Sequence, residues 1–518
     1  MEAYVKRFCL FFLFICCLYS FAIAQHYFNI QEYGAVGDGL TLNTTAIQKA
    51  IDDCATNGGT VYVPPGRFLS GTLFLKSGVA LYFDHGAVLL GSTHQDDYPV
   101  TIPARRSYTD NYVVRSLIYA EKAQRLSIYG TGTIDGQGEA FKDRRSYDDP
   151  YKRRPYLIRM IDCRDISIKD ITLVNSPMWV QHYLACDNLH IDGISVRSHV
   201  AGNNDGIDID ACRHVRIANC HIESGDDAIV LKSTTNRACE DVVVTNCLLS
   251  SHCNAFKLGT ESSGGFVNIL FSNSTIYDTR LAAIALETVD GGRLERVNVN
   301  NIVINKAGTA IFVRLGNRAR PFLADTTADQ PGIGSLRNVN ISHIIADSIG
   351  PIGCSITGIP AQSVRDIRLS DIFINYIGGG SLPPAETVVP EHEASYPEFH
   401  MFGVLPAYGF YIRHVDTVSI HNMHLSYAEP DERPALYFED VQNITLFDFF
   451  AQLESAAPAL VRMKNVNSGL VHGCRIRGIS TFLFAQATSD LILMNNDFKV
   501  GYIMNQDQSN SNIIIKHN

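Results

Sequence analysis

From residue 166 onward the chain repeats one phrase, and no other feature limits its possible folds so tightly. The phrase is a β-branched or aliphatic residue, a spacer, a second aliphatic, two polar residues often ending in Asn, and another short apolar run. It reads Ile166-Ser-Ile-Lys-Asp-Ile171, Leu189-His-Ile-Asp-Gly-Ile194, Val215-Arg-Ile-Ala-Asn-Cys220, Val242-Val-Val-Thr-Asn-Cys247, Ile269-Leu-Phe-Ser-Asn-Ser274 and Val297-Asn-Val-Asn-Asn-Ile302. The starts are 23, 26, 27, 27 and 28 residues apart. Further copies begin at Val339, Ile367, Val418, Ile444 and Leu491, where gaps of 42 and 51 mark insertions. Alternation with period two means strands. A fixed period in the twenties means a solenoid whose coils bury their apolar faces only by stacking. The L-x-x-L-x-L skeleton of leucine-rich repeats is absent, so the pattern predicts an all-β, right-handed parallel β-helix.

The N-terminal part differs. Residues 1–24 read as a signal peptide: Lys6 and Arg7, then the apolar stretch Phe8 to Phe21, then Ala22-Ile23-Ala24 before Gln25. This predicts export to the periplasm or the extracellular space. Farther on, Ala46, Ile47, Ala50, Ile51 and Cys54 share one helical stripe, opened by Asn43 or Thr44 and closed by Gly58-Gly59. Such a helix would cover the open apolar end of the solenoid. Strand-like runs follow at Thr60–Val63, Gly71–Leu75 and Val79–Phe83. Residues 376–410, rich in Gly, Pro and aromatics, read as a long structured loop, so residues 25–518 form one expected domain.

Charged residues are only 19% and the formal net charge is −10, with no Lys/Arg run. Nucleic acid and anionic membranes are therefore poor partners. Ten of the 13 cysteines follow the signal segment, and none forms a CxxC pair, which disfavours zinc. Disulfides are allowed in an exported chain. Their recurrence at one place in the phrase favours a stack of small buried thiols.

Two clusters break the expectation that polar residues in such a repeat serve turns. Gly202-Asn203-Asn204-Asp205-Gly206-Ile207-Asp208-Ile209-Asp210 carries three carboxylates, and Gly225-Asp226-Asp227 carries two side by side. Asp205 and Asp226 are 21 residues apart, about one coil. Stacked coils lie about 4.8 Å apart, so the clusters should sit one above the other and push at least one pKa upward. Separate acid and base roles at one pH are what glycosidic hydrolysis needs. Asp208 and Asp210 are expected to serve structure.

With these residues in order, the chain resembles glycoside hydrolase family 28, the polygalacturonase and rhamnogalacturonan hydrolase family. Phe28-Asn29-Ile30, Tyr33-Gly-Ala-Val-Gly-Asp-Gly39, Gly132-Thr-Ile-Asp-Gly-Gln-Gly138 and Asn175-Ser-Pro-Met-Trp179 match its pattern. Asn203-Asn-Asp-Gly-Ile-Asp208 resembles N-T-D-G-[IF]-D with Asn204 in place of Thr, and Gly225-Asp-Asp227 matches G-D-D. The resemblance implies inverting hydrolysis of α-linked galacturonate in a pectic polysaccharide or oligosaccharide, without metal or other cofactor. It implies Asp226 as general acid, with Asp205 and Asp227 activating the water. Simple stacking would bring the carboxylates closer than the roughly 6.5–9.5 Å usual for inverting enzymes.

Two family motifs fail. Anchored on Gly259-Thr260-Glu261, the stretch from Ser251 puts Cys253 at the position of the family's histidine, with His252 one residue off. In a strand that offset turns a side chain to the other face. The family's R-I-K, whose cations hold the uronate carboxylate, is replaced by Ala285-Leu286-Glu287. The candidate sugar contacts are Asn203, Lys232, His252, Lys257, Glu287 and Arg314, with Arg280 and Arg318 as further possible cations. A carboxylate where a lysine should stand favours a neutral or deoxy sugar, as in rhamnogalacturonan. The alternatives are a Ca²⁺-dependent pectic lyase using Asp205, Asp208 and Asp210, or a non-catalytic carbohydrate-binding β-helix. The chain is expected to act as a monomer. Secreted protein should begin at Gln25; N-terminal sequencing that finds the first residues intact would point to a membrane anchor instead.

Overall fold

The structure, a computed structural model, describes residues 27–111, 113–141, 154–321, 331–381, 388–475, 481–497 and 509–516. The predicted signal segment lies outside them. Successive coils pair in parallel, and a typical coil has three strands, as in Gln181–Leu184, Asp187–Asp192 and Ser195–Ser198. The architecture is the parallel β-helix that the repeat predicts. Three sheets run along the helix axis. The repeated phrase supplies the second and third; the first, which includes Ile207–Asp210, Ile229–Ser233 and Phe256–Ser262, lies between phrases.

The first residues of the phrase form one unbroken row, each level with the next: Ile166, Leu189, Val215, Val242, Ile269 and Val297. The row continues through Val339, Ile367, Val418, Ile444 and Leu491, with Gly469 between the last two. Its aliphatic members are buried. The copy at Gly469 escaped the sequence pattern because the row has no side chain there. Leu491 fills the space, its Cδ2 only 2.6 Å from where a Cβ would stand.

Where a phrase ends in Asn, that residue marks the corner between the second and third sheets. Asn219, Asn246, Asn273 and Asn301 have φ of 57°, 54°, 52° and 55°, a left-handed conformation that Asn tolerates better than most residues. Their amides bond from coil to coil, as Asn301 Nδ2 does to Asn273 Oδ1 at 2.8 Å. The thiols are the small buried groups that their recurrence predicts: all ten described cysteines are free, and all but Cys253 are buried.

The helix Thr44–Asn57 buries Ile47, Ala50, Ile51 and Cys54 against the first coils. Asn43 precedes it, but its side chain does not cap the helix. Instead it pins the preceding loop, accepting from Val36 N and donating to Val36 O and Thr41 O. Around it the strands are Gly59–Val63, Gly66–Ser70, Leu73–Phe74 and Val79–Phe83, so the run read at 71–75 is shorter and a strand precedes it. The long insertion runs from Gly378 to Phe410, the ends of the flanking strands.

The sheets differ outside. On the third, Val303, Ile345 and Phe373 form an outward row that is 45%, 59% and 40% exposed. On the first, the outward row through Arg159, His182, Asp208, Lys257, Phe312 and Tyr411 is buried throughout. Chain segments outside the coils must cover it.

Candidate active site

The register of the first sheet decides which carboxylates meet. Ile207 pairs with Ile229, and Ile229 with Phe256. Hydrogen bonds from Gly206 N to Asp227 O and from Ala228 N to Asn254 O carry this alignment back into the preceding turns. Asp205, Asp227 and Asn254 are therefore level with one another, and Asp226 is level with Asn204 and Cys253. The spacing of 21 suggested Asp205 over Asp226; the observed offset is one residue larger, because the coil itself takes 22.

Each turn is fixed by its own hydrogen bonds. Asn204, the replacement for the family's Thr, is fully buried and donates to Ser176 O and Met178 O while accepting from Ala201 N. Ser224 and Ser251 hydroxyls both donate to Asp226 O at 2.6 Å. Asn254 donates to Asp227 Oδ1 through N and Nδ2, at 3.0 and 2.9 Å. Asp226 is half-buried, whereas Asp205 and Asp227 are buried.

Two buried lysines stand among the acids. Lys232 Nζ lies 3.7 Å from Asp205, 3.6 Å from Asp208 and 3.6 Å from Glu261, and 4.7 Å from the centre of the Trp179 ring. Lys257 Nζ lies 3.4 Å from Asp227, 3.9 Å from Glu287 and 3.5 Å from Glu398. Burial and the neighbouring Asp208 and Asp226 carboxylates raise Asp205 well above the usual carboxyl range. Burial, then the charges of Asp227 and Asp226, does the same to Asp208 against the pull of Lys232. Asp226 is raised too, by burial and by Asp227. Glu261 behaves oppositely: burial works against its charge, yet Lys232, Arg320 and Arg318 hold it at about 2. Burial lifts Glu287 to about 8, with Lys257 opposing and Glu398 and Asp227 reinforcing. The cluster thus keeps protons on some carboxyls at neutral pH and charge on others.

Of the expected sugar contacts, Lys232 and Lys257 are in the cluster but almost wholly covered by their carboxylates. Asn203 is half-buried and accepts from Arg154 Nη2 at 2.9 Å. His252 is exposed, level with Gly225, and its ring packs on His199 with centroids 4.6 Å apart. No bulge restores it to the family position; Cys253 takes the place level with Asp226, and its Sγ accepts from Arg280 Nη2 at 3.7 Å. Arg314 is not available to a sugar. Its guanidinium is fully buried and donates to Gly358 O, Glu391 O, His392 O and Thr357 Oγ1, which ties the long insertion to the coil. Glu287 is likewise fully buried, accepting from Thr260 Oγ1 at 3.2 Å, so it shapes the floor and cannot touch substrate. Asp210 is structural as expected, bonded by Thr234 N and Oγ1 and near His182. Asp208 faces Lys232 at 3.6 Å, and neither of its oxygens accepts a hydrogen bond. Sequence reasoning missed Asn254, Tyr396 and Glu398. The last two come from the insertion, where no periodicity marks them.

An acid cluster of this kind on a β-helix defines a class, the carbohydrate-cleaving solenoids, and comparison identifies the family. Residues 56–388 match the model of Glycosyl hydrolases family 28. The chain is 29% identical over 372 residues to "Probable polygalacturonase" of Vitis vinifera, covering 68% of this chain and 74% of that one. It is 27% identical over 292 residues to "Rhamnogalacturonase A" of Emericella nidulans, covering 56% and 50%. Among solved structures, the hyperthermoactive exopolygalacturonase from Thermotoga maritima superposes with a TM-score of 0.61 at 22% identity, over 77% of this chain and 92% of that one. The chain belongs to glycosyl hydrolase family 28 and is a glycoside hydrolase.

The raised Glu287 has a consequence for stability. A carboxyl whose pKa rises from 4.5 unfolded to about 8 folded holds a proton that the unfolded chain has lost, so stability falls as pH rises through that window. The slope from one group is at most about 1.4 kcal/mol per pH unit. Glu287→Gln keeps the shape of the neutral acid without titrating. Its melting temperature should fall less than the wild type's between pH 5 and 8, as measured by calorimetry; parallel curves would show that Glu287 is ionised in the folded protein.

Proposed function

We propose that the protein hydrolyses a pectic chain in which galacturonate is joined to a neutral sugar, with Asp226 as general acid and Asp205 and Asp227 as the pair that activates water. The observation that carries this reading is the saturation of cations. Lys232 and Lys257 each face three carboxylates, Arg318 faces Asp290 and Glu261, and Arg320 faces Glu261. Arg314 is consumed by backbone carbonyls. On the side of these buried cations, a uronate carboxylate brought from water would be desolvated without an unengaged partner, at a cost of several kcal/mol. A neutral sugar avoids that cost.

Position supports the chemistry as well. Lys257 stands level with Ala285, one coil before the place where the family's arginine is missing, but its partners Glu287 and Glu398 absorb its charge. On the other side Arg280 is exposed, beside Cys253 and His252 O, with no carboxylate partner among the described residues. It can take the galacturonate carboxylate there. Asp226 is the cluster's half-buried member, and its raised pKa keeps a proton ready for the leaving oxygen. Asp205 and Asp227, level with each other one coil apart, flank the place for the water: Asp227, ion-paired with Lys257, is placed to accept its proton, and Asp205, which burial raises, orients it by hydrogen bonding. A Ca²⁺-dependent lyase fits less well. Lys232 already faces Asp205 and Asp208, and Asp210 is turned to Thr234, so the three acids do not share an oxygen cage.

Asp226→Asn, an isosteric change, should lower turnover by roughly 10²–10⁴-fold without loss of fold, since general acid catalysis is worth about that much. Wild-type turnover in this variant would remove Asp226 from the acid's role. On substrate, kcat/KM for rhamnogalacturonan backbone oligosaccharides should exceed that for homogalacturonan oligosaccharides of equal length. Equal or higher values on homogalacturonan would refute the neutral-sugar reading.

A further inference from the structure

The carboxylates lie on the outer face of the first sheet, where a groove for a long chain would leave several coils open in both directions. Here neither direction is open. Toward the N-terminal coils, Arg159 is fully buried and bonded to Asp110 at 2.7 Å, and Val113 packs with Tyr156 and Trp179. An arm formed by residues 98–111 and Val113 therefore lies over the sheet on that side. Toward the C-terminal coils, Phe399, Phe402 and Leu405 of the long insertion pack on Ala285, Phe312 and Tyr411. Both arms stop beside the acids.

A wall joins them along the downstream edge of the strands. The Arg320 guanidinium stacks 3.5 Å from the centre of the Tyr108 ring of the first arm, and Arg318 lies 5.7 Å from that of Tyr396 of the second. Glu261 binds both arginines. The catalytic cluster is thus shut along the axis in both directions and along one flank. The remaining flank, which no described residue covers, carries half-buried Asp226, Asn203 and Cys253 and exposed His252.

From this enclosure we infer that the protein is a pocket enzyme: it admits the end of a chain, or a short side chain, and does not cleave polymers internally. The inference rests on the hydrolase reading above but not on its sugar preference. A polymer cannot lie across the acids, because on both sides its path is filled by packed side chains. Only a terminus can enter by the open flank, and each encounter then releases one short product. Tyr396, 55% exposed, stands at the rim with its ring centre 5.5 Å from Lys257 Nζ.

The test is the time course of product size on polygalacturonate and on rhamnogalacturonan backbone, with viscosity followed in parallel. A pocket releases one short product from the first time point, and viscosity falls little while reducing ends accumulate. An early ladder of intermediate oligosaccharides with a rapid fall in viscosity would overturn the inference, on whichever polymer it appears. A sugar preference opposite to that proposed leaves this readout intact, so the two can fail separately. Calorimetric titration of Asp226→Asn with oligosaccharides of increasing length gives a second reading without turnover. One protein per chain at every length agrees with a pocket, and stoichiometry rising with chain length contradicts it. Neither cleavage nor binding on any pectic chain would overturn both the function and the pocket.

Discussion

The parallel ladder between coils is the constraint on which everything else depends. Each strand must pair with the one a coil earlier, so residues about a coil apart in sequence are forced to stand level at the strand spacing of about 4.8 Å. Inside the solenoid this is favourable, since aliphatic rows such as Val215, Val242 and Ile269 pack on one another. Outside, the same rule makes Asp205 and Asp227 neighbours, whatever their charges prefer.

Bringing acids together in this way demands compensation. Removing one partner of a buried ion pair typically costs 3–5 kcal/mol, because the other charge is left without a counterion. The protein meets the demand from within the same ladder. Lys232 lies in the strand Ile229–Ser233 that follows Asp227, and Lys257 lies one coil on, so each ammonium rises between carboxylates of adjacent coils. The charges that remain unbalanced are relieved by protons, as on Glu287 at about 8. A site built like this holds both ionised and protonated carboxyls at one pH, which is what paired acid and base work on a glycosidic bond requires.

The repeat made the fold legible because each phrase carries its own buried aliphatics and many carry a corner Asn, and these are local signals. Gly469 shows the limit, since a copy without a side chain in the row leaves no pattern to read. The acids were legible for the opposite reason: Asp205, Asp226 and Asp227 interrupt the pattern where nothing structural calls for three carboxylates. Their partners were less so. Lys232 and Lys257 could be suspected, but their engagement with Glu261, Glu287 and Glu398 depends on which coil stands above which. Arg314 was misjudged because charge alone does not reveal that backbone carbonyls of the insertion consume it. Tyr396 and Glu398 arrive from an irregular segment, and the sequence holds no register for such a segment. Of the segments that close the site, the loop at 376–410 could be suspected of walling off one end of the groove from its length, while the arm around Tyr108 and Asp110 was invisible for the same reason.

In the proposed mechanism one carboxyl gives a proton to the leaving oxygen while others drive a water onto the opposite face of the sugar. The most direct measurement is the anomeric configuration of the first product, followed by proton NMR before mutarotation. An α-linked substrate should yield the β-anomer. Appearance of the α-anomer first would mean a covalent intermediate on one of these aspartates, and would contradict the roles assigned to Asp205 and Asp227.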